Sequence, residues 1–277
     1  MCEVGPDAGG EHGSGLQNTR TLVRRNSPIL RAPAPHFTAA SPSSGAVTTS
    51  PPRAITLDLD DTLWPVWPAI ERAETALHDW LLQHCPNTAE QFPLARMREL
   101  RAHIAERNPQ ISHDYCTQRR LSLQQALRES GDDHAHADTA YEVFFAARNE
   151  IELYADSLAA LRRLAARMPL AALTNGNACI QRIGLGEHFQ FSLGAREHGA
   201  AKPDASIFHA ACARLGLPPA DVLHVGDDPH MDVLGARRAG LRAVWINRRD
   251  EAWEHEEQPD LIVHTLTELA DWLEARG

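Results

Sequence analysis

The chain lacks the features that would place it in a membrane, on nucleic acid or in an oxidising compartment. No apolar run approaches the ~20 residues that a membrane-spanning helix needs, and no signal-peptide h-region is present. Positive charge is in deficit: 27 Lys and Arg face 37 Asp and Glu, a net charge of −10. The first 53 residues hold five Arg against three acids, which leaves about −12 on the remainder. A body that acidic has no basic face for nucleic acid, so no such partner is expected. Cys2, Cys85, Cys116, Cys179 and Cys212 are odd in number, widely spaced and form no C-x-x-C pair. They read as reduced thiols, which points to a cytoplasmic protein rather than a disulfide scaffold.

What is present begins with 277 residues, enough for one sizeable core or a core with a smaller insertion. Residues 1–53 are rich in Gly, Ser, Pro, Ala and Thr without apolar periodicity and read as a disordered tail. Arg20, Arg24, Arg25 and Arg31 suit a transit peptide, but Glu3, Asp7 and Glu11 do not, and the tail reading is preferred. The stretch Ala54-Ile55-Thr56-Leu57-Asp58-Leu59-Asp60-Asp61-Thr62-Leu63 is the most informative. A buried-strand pattern stops in three carboxylates within four residues. At ~4 Å and an effective dielectric near 20, two carboxylates repel by ~4 kcal/mol, so the cluster calls for a divalent cation or a lysine. Side chains alternate along a strand, which puts Asp58 and Asp60 on one side of it.

A long helical block follows, from near Pro65 to near Ile151. Ile70, Ala73, Leu77 and Leu81 keep helical spacing, and Thr88-x-x-Gln91 reads as a capping box opening a second helix. Further helices are predicted over 117–129 and 138–149, giving four helices in a small bundle. Strands and helices then alternate. Strands are predicted at 169–173, 222–225 and 243–246, with helices through Leu158, Leu161, Leu164, Ala165 and Met168, from Pro203 to a stop at Gly216, and over 232–239. That order predicts an α/β fold, a parallel sheet covered by helices on both faces. Ligands of such sheets bind beyond the carboxyl ends of the strands, where Asp58, Asp60, Thr174 and Asp227 all fall.

Each of these segments alone has a bland reading. Asp58-x-Asp60 suits a strand-end turn, Lys202-Pro203 a solvated loop, and Gly226-Asp227-Asp228 an ordinary turn. Together and in this order they resemble the four motifs of the haloacid dehalogenase (HAD) superfamily: Asp58-Leu59-Asp60-Asp61-Thr62, Thr174, Lys202-Pro203, and Gly226-Asp227-Asp228 with Asp232. The resemblance spans residues 54–247. It implies a three-layer, Rossmann-like HAD core over 54–65 and 152–277, with a helical C1 cap inserted over 66–151. It also implies Mg²⁺ held by Asp58, the backbone carbonyl of Asp60, and Asp227, with Asp228 or Asp232 acting directly or through water. Asp58 is then the nucleophile, Asp60 the proton donor and later the base, Thr174 a hydrogen-bond donor to the phosphoryl group and Lys202 a second positive charge. Dehalogenases of the superfamily lack the second carboxylate, because a halide leaves without a proton. Asp60 therefore implies a phosphatase or phosphomutase.

Nearly the whole chain after the tail resembles the bacterial branch that hydrolyses FMN or 5-amino-6-(5-phospho-D-ribitylamino)uracil. Ile111-Ser112-His113-Asp114, Ser122–Leu127, Leu173–Ala178 and His198-Gly199 carry that likeness. It implies a small phosphate ester as substrate. Trp64, His113, Asn175 and Asn177 are candidate substrate contacts: an aromatic suits a flat leaving group, and asparagines suit phosphate or ribityl hydroxyls. Hinge packing stays open for Trp64 and is preferred for Trp67. Asp114 has the alternative of capping a helix, Arg119 and Arg120 read as a solvated face, and His134-x-His136 reads as a solvated turn. A sugar-phosphate or phosphoglycolate phosphatase, a phosphomutase, a phospho-receiver module and a non-catalytic phosphate or flavin binder are the competing readings. The sequence assigns no oligomeric state.

Overall fold

A computed structural model describes residues 50–276. Most of the expected tail lies outside the described residues. At its end Arg53 donates its backbone N–H to the carbonyl of Asp221 (2.8 Å), which aligns the first strand for pairing.

The chain runs β1 (Ala54–Leu57), then α1 (Val66–His84), α2 (Pro86–Gln91), α3 (Leu94–Arg107), α4 (Tyr115–Ser130) and α5 (Ala137–Arg148). It continues through α6 (Ser157–Ala165), β2 (Leu170–Thr174), α7 (Ile180–Ile183), β3 (Phe191–Gly194), α8 (Ala195–His198) and α9 (Ala205–Leu215). β4 (Val222–Gly226), α10 (Gly235–Arg238), β5 (Arg242–Ile246), β6 (Leu261–Val263) and α11 (Leu266–Glu274) complete it. All strand pairs are parallel, in the order β3-β2-β1-β4-β5-β6. This is a doubly wound sheet whose connections reverse direction at β1, so a crevice opens beyond the ends of β1 and β4.

The three central strands are buried at every position, as a sheet covered on both faces requires. On one face Leu161 and Leu164 of α6 and Leu266, Leu269 and Leu273 of α11 share a cluster with Ile55, Leu57, Leu223 and Val225. On the other, Ile207, Phe208 and Ala211 of α9 and Ala236 of α10 join Leu173 and Val222. Helices α1–α5 bury a cluster of their own, including Ala73, Leu77, Leu81, Leu123, Leu127, Tyr141 and Phe144.

Local predictions differ from the structure in instructive places. Five helices replace the expected four, because Pro93 ends α2 and begins α3; a residue before proline is pushed out of the helical region. Thr88 opens no capping box. It sits inside α2, where its hydroxyl and backbone N–H donate to Asp132 (2.8 Å each). Pro203 precedes α9, which Asp204 caps instead. Asp114 does cap α4, accepting from the N–H of Thr117 at 2.9 Å, and Gly216 ends α9 at φ 67°. The short strands β3 and β6 carry too few residues for an alternating pattern to register.

Candidate active site

The site is built where β1, β2 and β4 end. Asp58 follows β1 and its backbone N–H donates to Val225 of β4 (2.9 Å), which fixes it at the crevice. The chain then turns sharply. Asp61 adopts a left-handed φ of 56°, a conformation that aspartate tolerates better than most residues, and its carboxylate accepts from the N–H of Val66 at the start of α1. Thr62, buried in the same turn, aims its hydroxyl at Asp227 (3.3 Å).

Carboxylate oxygens of Asp58, Asp227 and Asp232 lie within 4.8 Å of one another. Lys202 Nζ donates to Asp58 (2.5 Å) and Asp232 (2.6 Å) and is only 3% exposed. Asn175 holds that lysine in place: its amide donates to the Lys202 carbonyl (2.9 Å) and accepts from the Lys202 N–H (2.8 Å). His224, buried in β4, sits between Asp232 (3.1 Å) and the hydroxyl of Thr56 (2.9 Å). Gly226 lets Asp232 approach, since a Cβ there would fall 2.2 Å from the Asp232 Cγ.

Charge within this cluster is unbalanced. One ammonium serves three carboxylates, two of them fully buried. Burial, reinforced by Asp232 and Asp227, holds Asp58 well above the usual carboxylate range against the pull of Lys202. Burial and the charges of Asp232 and Asp61 push Asp227 up to about 7. Burial acts the same way on Asp232, but Lys202 and His224 outweigh it and hold that carboxyl below its ordinary value. Lys202, which burial alone would depress, is raised by Asp232 and Asp58. Hard oxygen donors with surplus negative charge suit a magnesium-sized cation, so the residues fit the ion that the sequence motifs imply.

Asp60 stands at the rim of this cluster. Its carboxylate accepts from Trp64 Nε1 (2.8 Å) and takes two bonds from Arg148 Nη2 (2.6 and 2.8 Å). It also overhangs Gly176, where a Cβ would lie 2.3 Å from Asp60 Oδ2. Thr174, almost fully buried at the end of β2, accepts from the N–H of Gly176 (2.9 Å). Asp58, Asp60, Thr174, Asn175 and Asn177 line the floor of a cavity of about 400 Å³, roofed by α1, α3, α4 and α5.

Several residues stand where the sequence did not place them. Trp64 is wholly buried and cannot meet a leaving group; it packs in the core and orients Asp60, while Trp67, 52% exposed, lines the cavity. His113 does not line the cavity. Asp228 accepts from the N–H groups of His230 (2.8 Å) and Met231 (2.7 Å) through its Oδ1, and of the two fourth-motif candidates it is the Asp232 carboxylate that gathers with Asp58 and Asp227. Arg119, read as solvated, is instead 7% exposed and stacks on Phe144 at 3.5 Å. Arg148 carried no sequence signal beyond a basic last helical turn. For Lys202 a signal existed: it is the only lysine in the chain, beside 26 arginines.

The family model described as haloacid dehalogenase-like hydrolase matches residues 52–240. The 5-amino-6-(5-phospho-D-ribitylamino)uracil phosphatase YigB of Escherichia coli K12 is 34% identical over 224 residues, 78% of this chain and 94% of that protein. A phosphoserine phosphatase of Thermus thermophilus is 39% identical over 53% of this chain and 61% of its own length. Among solved structures, a 2-haloacid dehalogenase from Pseudomonas syringae pv. Tomato superimposes with a TM-score of 0.76 at 36% identity, covering 81% of this chain and 98% of that one. The carboxylate cluster, its buried lysine and the doubly wound sheet thus accompany a match over most of the sequence, and the chain belongs to the haloacid dehalogenase-like hydrolases, an enzyme family with phosphatases among its relatives.

Proposed function

We propose that the protein is a cytoplasmic, Mg²⁺-dependent phosphomonoester hydrolase acting through an aspartyl-phosphate, with a riboflavin-pathway phosphate, 5-amino-6-(5-phospho-D-ribitylamino)uracil or FMN, as substrate. The observation that carries it is the juxtaposition of Asp58, buried beside Lys202, with Asp60 at the mouth of a ligand-sized cavity. The similarity to YigB supports the substrate.

The chemistry follows from the residues. A phosphate monoester is a dianion, and a carboxylate attacks it only where the repulsion is neutralised. Asp58, Asp227 and Asp232, with the Asp60 carbonyl as a further oxygen, would hold Mg²⁺, which would supply that neutralisation. Lys202 adds a fixed positive charge, and the Thr174 hydroxyl donates to a phosphoryl oxygen. An oxygen of Asp58 bonds to phosphorus as the ester P–O bond breaks, and Asp60 hands its proton to the departing alcohol oxygen. Asp60 then takes a proton from water, whose oxygen attacks phosphorus. The bond to Asp58 breaks, inorganic phosphate leaves, and both carboxyl groups return to their starting state.

A dehalogenase reading has one observation in its favour, the 36% identity to the Pseudomonas syringae protein. Asp60 argues against it, since a departing halide takes no proton and a carboxylate there would only repel it. The test is phosphate release from FMN and from the ribitylaminopyrimidine phosphate, with and without EDTA, alongside chloride release from 2-chloropropionate. Turnover of the phosphates that survives EDTA or Asp58→Asn, or chloride release in their place, defeats the proposal.

A further inference from the structure

The cavity roof carries a hydrogen-bonding pattern of its own. Glu74, buried in α1, is shared by three arginines, with Arg98 at 2.6 Å, Arg101 at 3.0 Å and Arg119 at 3.5 Å. One carboxylate cannot balance three guanidinium groups, and the two nearer ones take its best geometry. Arg119 is left as the least compensated. Burial and the charge of Arg101 lower it to about 9, with Glu74 opposing. Arg101 and Arg119 both face the cavity, so donors with unspent capacity line its roof.

Gln118, beside Arg119 on α4, supplies the opposite polarity. It is 4% exposed and lines the same cavity. Its Nε2 donates to the backbone carbonyls of Ile111 (2.8 Å) and Ser112 (3.1 Å). Two carbonyl partners settle which end of the amide is nitrogen, since an oxygen there would meet two acceptors. Both amide hydrogens are therefore committed, and Oε1 is the atom left to accept. Trp67 and Tyr115, each about half exposed, stand on the same cavity as flat apolar surfaces.

From these contacts the geometry points to Gln118 and Arg119 as specificity-determining residues that read the imide edge of a pyrimidinedione ring on the leaving group. This deepens the proposed function and rests on it. An imide presents an N–H flanked by two carbonyl oxygens, and Oε1 of Gln118 matches the N–H while the guanidinium groups match the carbonyls. The flat rings cover the face of the same heterocycle. A carboxylate-bearing substrate without an N–H, such as phosphoglycolate, offers acceptors alone, which satisfies the arginines but leaves Oε1 facing like charge. A site built to pair a substrate N–H rejects an analogue without one, because its own polar atom is then buried unpaired.

The experiment compares kcat/KM for FMN and for N3-methyl-FMN, with the ribitylaminopyrimidine phosphate, p-nitrophenyl phosphate and phosphoserine assayed beside them, on the wild type and on Gln118→Leu. The wild type is expected to favour FMN over its N3-methyl analogue roughly ten- to a hundredfold. In Gln118→Leu that ratio should fall towards one; being internal to each preparation, it is insensitive to the fraction of folded enzyme. A wild-type ratio near one, or a ratio unchanged in Gln118→Leu, overturns the inference while leaving a flavin-phosphate hydrolase intact. Turnover of p-nitrophenyl phosphate with neither FMN nor the ribitylaminopyrimidine phosphate hydrolysed, or a preference for phosphoserine over both, overturns the substrate reading beneath it.

Discussion

Arg148, the last residue of α5, closes on Asp60 across 88 positions of sequence, placing Nη2 2.6 and 2.8 Å from the two carboxylate oxygens. Arg148 is 1% exposed and ends the helical block inserted after β1. The residue proposed to move the proton is thus held by the segment that roofs the cavity. Asn149, the next residue, accepts from the N–H of Cys179 at 2.7 Å and ties the same exit to the loop after β2.

Arg148→Met should lower kcat by about a hundredfold with a smaller change in KM, because Asp60 loses its orientation while the roof residues stay. Steady-state kinetics with FMN at saturating Mg²⁺ measure this. A change confined to KM would show that Arg148 binds substrate rather than positioning Asp60.

Gly176→Ala tests the same carboxylate from below. The backbone at Gly176 is open to alanine, so the effect is steric: the new Cβ would lie 2.3 Å from Asp60 Oδ2. A loss of roughly ten- to a hundredfold in kcat is expected, with thermal unfolding close to that of the wild type. Unchanged kcat would mean that Asp60 works from another position.

Metal binding should be linked to protons through Asp227. In the ion-free protein its pKa is raised from 3.8 to about 7. Protonation there favours the folded state, so this contribution is fully present below about pH 4 and is lost as pH rises through about 7. A cation competes with that proton, so Mg²⁺ affinity should fall by up to ~tenfold per pH unit below about 7. Titration calorimetry in buffers of different ionisation enthalpy reads the released proton. Saturating Mg²⁺ should also raise the unfolding temperature, most at neutral pH.

Lys202→Met should cost about 3–5 kcal/mol of stability in addition to abolishing turnover, since it leaves Asp58 and Asp232 buried without their shared cation. Denaturant unfolding measures it, with Mg²⁺ expected to restore part of the loss. Because the chain has no other lysine, an amine-acylating reagent should leave every side chain untouched in the native protein and modify Lys202 only after unfolding.

The acids at the strand ends and the sheet were legible for a local reason. Parallel strands buried on both faces are written as apolar runs, and charge at the end of such a run stands out: Asp58 after Ala54–Leu57, Asp227 after Val222–Gly226. The roles of neighbouring polar residues were not legible. Asp228 and Asp232 belong to one motif, and only the wide turn at Pro229–Leu234 turns Asp232 inward while Asp228 caps that turn. Trp64 and Trp67 are three residues apart at the same hinge; burial against the core claims the first, and the cavity receives the second.

Composition and order along the chain determined the fold class, the family and the four segments that meet at the sheet edge, because each is encoded within a few consecutive residues. Tertiary structure alone decided what clamps Asp60, which acids approach one another and which arginines face the cavity. Those depend on approach between residues such as Asp60 and Arg148, or Glu74 and Arg119, and on burial that no single segment can specify.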